Sequence, residues 1–237
     1  MALPKIEYPT FDLTLPSSKE VIKLRPFLVK EEKILLSAMQ GEDSEEILNS
    51  ILQVVNNCII TEGVDVEQLA TIDLEYIFIR LRARSVNNII SLTYRDLEDE
   101  KRYDVEVDLD KVEIIYSEEN NNKIEVTDTI GFYLKPPKSN IADKITEDIK
   151  DSTDLFFSIL KNCIDTIYDS ENVYQASDSS NEELDEFLQN LDVKTFTKIQ
   201  KYFSTLPKLH YEVKYTNSLG NERTIILSSL NDFFSLG

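Results

Sequence analysis

Apolar and polar residues alternate twice near the start of the chain. Asp12 and Thr14 separate Phe11, Leu13 and Leu15, and the alternation resumes from Glu20 to Leu24 beyond the turn-forming Pro16-Ser17-Ser18-Lys19. A period of two marks a half-buried strand, so this stretch predicts a β-hairpin, closed by Pro26. From Val29 to Gln40 the period becomes helical, with Ile34, Leu35 and Ala38 on one face and Gly41 as the stop. Asp43-Ser44-Glu45-Glu46 has capping-box spacing. It precedes Ile47, Leu48, Ile51, Leu52, Val55 and Ile59, the stripe of a core-facing helix. Asp65 to Ala70 reads as a helical turn. Thr71 is expected to cap a helix to about Ser85, with Leu74, Ile77, Phe78 and Leu81 on its buried face.

From Asn88 the period returns to two. Ile90, Leu92 and Tyr94, then Tyr103, Val105, Val107 and Leu109, then Val112, Ile114 and Tyr116 alternate with polar residues, and a further strand region follows between Ile124 and Leu134. The pattern predicts an antiparallel meander over 88–134. Lys135-Pro136-Pro137-Lys138-Ser139 reads as a linker. Beyond it, Leu155, Phe156, Ile159, Leu160, Cys163 and Ile167 form one amphipathic helical segment. Ser180 and Glu183 form a second capping box, Val193 to Phe203 is a helix ended by Pro207, and a hairpin turns around Asn217-Ser218-Leu219-Gly220. The expected fold class is α+β, with an antiparallel meander and hairpins packed against amphipathic helices. The expected division is an N-terminal α+β domain over 1–137 and a smaller C-terminal helical domain over 138–237. The latter ends in a β-hairpin and a Phe-rich tail.

Composition narrows the roles open to such a chain. Its 237 residues carry 25 basic and 44 acidic side chains, a net charge of −19. That field repels phosphate backbones and anionic lipid, so neither a nucleic acid nor a membrane is an expected partner. The apolar runs are short, such as Tyr76-Ile77-Phe78-Ile79, against the roughly 20 residues a membrane span needs. No signal-peptide pattern follows Met1. Cys58 and Cys163 lie in apolar helical patterns and read as buried free thiols in a reducing cytoplasm.

Candidate chemistry is sparse. Only five glycines occur, and none forms a phosphate-cradling loop. His210 is the one histidine, at a strand edge, and with two distant cysteines it has no zinc-ligand spacing. Asp104, Glu106, Asp108 and Asp110 read as one strand face, either a divalent-cation site or a solvated face. Arg80, Arg82 and Arg84, with Arg95, form the densest basic cluster. They are candidates for binding carboxylates on a partner or for pairing with the chain's own acids. Phe233 and Phe234 either anchor a partner or pack back on their own domain. No catalytic set, cofactor site or metal site is expected, so the chain reads as a non-enzyme.

Several blocks resemble a known family. They are Leu3-Pro-Lys-Ile-Glu-Tyr-Pro-Thr10, Leu24-Arg-Pro-Phe-Leu-Val-Lys-Glu-Glu-Lys-Ile-Leu-Leu36 and Ile72-Asp-Leu-Glu-Tyr-Ile-Phe-Ile-Arg-Leu-Arg-Ala-Arg-Ser-Val86. Phe196, Ile199, Phe203, Pro207 and Leu209 follow, with the ending Leu230-Asn-Asp232-Phe-Phe234. Together they are similar to the T-even-type bacteriophage baseplate hub assembly proteins of contractile-tailed phages. Some members carry paired cysteines in the C-terminal hairpin. Tyr215 to Gly220 has none, so the resemblance implies no zinc role here. It implies a non-enzymatic chaperone or scaffold that binds baseplate hub proteins or other tail assembly proteins in the host cytoplasm. The alternative is a permanent structural subunit of the virion baseplate.

Overall fold

The structure is a computed structural model that describes residues 8–41, 44–139 and 152–234. It is an α+β protein whose chain divides into two compact units. One comprises residues 1–115 with 208–237, and the other residues 116–207. The division expected after residue 137 gives way to an insertion. Pro136 and Pro137 lie inside the second unit, and the C-terminal hairpin belongs to the first.

The first unit opens with the hairpin β1 (Phe11–Thr14) and β2 (Val21–Leu24), then α1 (Val29–Gly41), α2 (Ser44–Cys58) and α3 (Thr71–Ser85). The capping box read at Asp43 to Glu46 falls partly outside the described residues. The N-cap of α3 is Ala70, one residue before the Thr71 expected there. Strands β3 (Ile89–Arg95) and β4 (Arg102–Asp108) form a two-stranded sheet, and β5 (Glu113–Ile115) follows. The predicted meander ends at β4, because β5 pairs instead with β10 (Lys208–Thr216), reached only after the second unit. β10 also pairs with β11 (Glu222–Leu227), and α7 (Leu230–Phe234) closes the unit.

Helix α3 separates two hydrophobic cores. Leu74, Ile77, Phe78 and Leu81 pack with the β1–β2 hairpin and α2. Ile72 and Ile79, with Tyr76 and Ala83, pack against the strands on the other side. Both series follow helical spacing. A helix with two apolar stripes leaves only narrow polar seams between them, which determines where its arginines can go.

The second unit contains β6 (Lys123–Glu125), β7 (Gly131–Leu134), α4 (Ser152–Cys163), β8 (Ile164–Tyr168), β9 (Val173–Gln175), α5 (Asn181–Gln189) and α6 (Val193–Ser204). The strands form one antiparallel sheet in the order β6-β7-β8-β9. Ile124, Phe132 and Ile164 share a core with Leu160, Leu184, Leu188 and Ile199 of the helices. The capping box at Ser180 and Glu183 forms at the start of α5. The helix expected to run past Cys163 stops there, and Ile164 begins a strand.

Candidate functional site

The seams of α3 hold the arginine cluster. Arg80 lies in the seam facing the β4–β5 connection and donates to the carbonyls of Asp110 (2.8 Å), Val112 (2.8 Å) and Leu109 (3.3 Å). Its guanidinium carbon also stands 4.9 Å from the Tyr76 ring centroid. Arg84 covers the Phe11 ring at 4.4 Å. Arg82 occupies the opposite seam, 3.4 Å from Glu32 of α1. Arg95 pairs with Glu100 at 3.8 Å. All four therefore have partners within the chain. A guanidinium beside backbone carbonyls fits its five-donor fork, and this arrangement staples the crossover onto α3.

Phe233 is fully buried in the core shared with the β3–β4 and β10–β11 strands. The Phe234 side chain lies outside the described residues. Asp232 fastens the tail by accepting from the amides of Ser228 (2.8 Å) and Ser229 (2.9 Å). The Leu230 amide donates to Glu75 of α3 at 3.2 Å. Burial raises the Glu75 pKa, the Leu230 hydrogen bond opposes this, and the nearby Asp232 charge adds to the rise.

The carboxylates around β4 are divided among separate tasks. Asp104 accepts from Thr93 Oγ1 at 2.7 Å. Asp108 accepts from the Asp110 amide (3.1 Å) and Asn88 (2.9 Å), so it caps the turn that follows the strand. Asp110 lies in that turn and not on the strand face, because β4 ends at Asp108. Among the described residues, no group of three or more His, Cys, Asp or Glu is placed to hold a metal ion. His210 pairs with Glu113 in the β10–β5 ladder, and its Nε2 lies 3.4 Å from Glu212 Oε1. Cys58 and Cys163 are free and buried, and burial pushes their thiols up to about 11 and about 12.

One polar cluster has no counterpart in the sequence reading. The β3–β4 turn and the β10–β11 turn clasp each other. Asp96 is fully buried and accepts from Tyr215 Oη, and Arg223 Nε stands 3.4 Å from it. Glu98 accepts from Asn217 (2.7 Å) and Asn221 (2.8 Å). Asp99 accepts from the amide (3.0 Å) and hydroxyl (2.8 Å) of Ser218 and from Tyr103. The Tyr215 hydrogen bond leads the causes that hold Asp96 below its ordinary value. For Asp99, desolvation pulls upward, but the hydrogen bonds from Tyr103 and Ser218 prevail and keep it low. The sequence offers no local signal for this clasp, since its two halves belong to hairpins far apart in the chain.

In the second unit, a cavity of about 260 Å³ is lined by Lys135, Lys161, Asn162, Ser177 and Asn181 among others. Lys135 pairs with Asp165 at 3.3 Å and Lys161 with Asp185 at 2.9 Å, so neither is an unpaired cation awaiting an anion. No helix among the described residues is long and apolar enough to cross a membrane.

Residues 8–235 match a family model described as T4 bacteriophage base plate protein. No curated protein and no solved structure matches the chain.

Proposed function

We propose that this chain, which belongs to the T4 bacteriophage base plate protein family, works as an assembly chaperone or scaffold for the baseplate hub, through protein–protein binding. The family match over 8–235 carries the baseplate part of the reading and is shared by the chaperone and structural roles. The balance of charge supports the chaperone role. Arg80, Arg82 and Arg84 are engaged with the chain's own carbonyls, acids and rings. The excess of acids, a net charge of −19, suits transient cover of a basic hub surface and repels acidic competitors. The chain would then act in the host cytoplasm while tails are built.

A second reading, a permanent structural subunit, is supported by the wording of the family description, a base plate protein. Quantitative mass spectrometry of purified virions separates the two. The chaperone reading expects the chain to be absent or far below stoichiometry. Presence in fixed ratio to known baseplate subunits would establish the structural one.

A further inference from the structure

We propose that the outward face of the β6–β9 sheet is a docking surface for a partner protein whose contact patch is apolar at its centre and rimmed by Arg or Lys. The inference rests on the reading that the chain binds another baseplate protein, and it adds the face and the partner's chemistry.

The strand register defines this face. Ile124, Phe132 and Ile167 lie opposite one another in the row that packs onto the helices. The neighbouring rows therefore point the other way. From β7 to β9 they read Tyr133, Thr166, Gln175 and Gly131, Tyr168, Val173. None of these six residues is charged, in a chain of which 29% is charged. The outward face of the β3–β4 hairpin shows the opposite habit, with Arg95, Arg102, Asp104 and Glu106 among its members. Even at the β6 edge the charge is matched, by the Lys123–Glu125 pair at 2.8 Å.

The surface is also held in shape. Gly131 has no side chain, and Tyr168 lies across it. A Cβ at that position would collide with the Tyr168 phenol. The Tyr133 ring stands 5.8 Å from Tyr168, and the Lys123 ammonium 5.7 Å from the Tyr168 ring centroid. Val173 remains 68% exposed and Tyr133 37% exposed. Tyrosines already fixed by neighbours lose little freedom on binding, and a charge-depleted, tyrosine-bearing patch is the composition of an interface centre.

The rim sets the partner's charge. The turns at 126–130 and 169–172 both border the Tyr168–Val173 end of the sheet. They carry Asp128, Asp169 and Glu171 and no Lys or Arg. A basic rim on the partner meets these acids favourably. A second copy of this chain would set acid against acid.

The test uses the full chain, titrated against the baseplate proteins of the same phage expressed one at a time. Tyr133→Ser with Val173→Asp should weaken the partner that binds wild type by at least tenfold. Asp128→Lys with Glu171→Lys should do the same at low salt and flatten the salt dependence. Glu106→Lys, on the β3–β4 face, should change affinity less than twofold. Thermal midpoints report whether each variant is folded, and if the first double variant unfolds, the charge-reversal pair decides. Equal affinity for wild type and the folded double variants would overturn this surface and leave the proposed function standing. Self-association that the same variants abolish would make the occupant a second copy and also overturn it. Failure of every baseplate protein to bind wild type would defeat the proposed function and this inference together.

Discussion

Ile115 and Lys208 stand opposite each other in the β5–β10 ladder, and the entire second unit lies between them in the chain. The insertion therefore leaves and re-enters the first unit at one cross-strand pair. Directly opposed residues of an antiparallel pair can be joined by a two-residue turn. Replacing residues 116–207 with Asn-Gly should give a chain that still unfolds cooperatively, with dispersed amide resonances. A molten product would show that the first unit needs its insertion.

The arginines of α3 should separate by role. Arg80→Ala removes donors from three carbonyls and should cost about 2–3 kcal/mol in urea unfolding. Arg82→Glu breaks one partly exposed pair with Glu32 and should cost about 1 kcal/mol or less. Combining it with Glu32→Arg should restore most of that loss. A large effect at Arg82 and none at Arg80 would contradict the assignment.

Phe233 is wholly enclosed, so Phe233→Ala should destabilise the protein by about 3–5 kcal/mol. Thermal and denaturant unfolding of the isolated chain measures this without any partner. A neutral result would mean that the tail docks elsewhere.

Glu75 gives a pH prediction. Its folded pKa is raised, so its contribution is fully present below the ordinary carboxylate range and is lost as pH rises through the raised value. Glu75→Gln keeps an acceptor for the Leu230 amide and removes the titration. The variant should match wild type near about pH 3 and be the more stable at neutral pH. Parallel stability curves across that range would refute the assignment.

Much of the local structure was legible because local chemistry decides it. The Ser180 capping box and the alternation around Asn217–Gly220 specified their elements directly. The end of α4 was not legible. Cys163-Ile164 carries no glycine or proline, and Ile164 and Ile167 continue an apolar spacing that also suits a helix. Only the pairing of β8 with β7 and β9 selects the strand. The insertion was hidden for the same reason, since β5 finds its partner across the whole second unit. Arg80, Arg82 and Arg84 stood out as a cluster, but carbonyl acceptors leave no trace in side-chain sequence. The second apolar stripe of α3, which forces those arginines into seams, was masked by the first. The face that β7, β8 and β9 leave uncharged beside the Lys123–Glu125 pair of β6 could be seen only once the register of four short strands was known.

Native mass spectrometry of the tagged full chain isolated from infected cells tests the central claim most directly. The account predicts a discrete complex of this chain with a baseplate hub protein, formed while tails are being assembled. Recovery of the chain alone throughout assembly, with no baseplate protein bound, would contradict it.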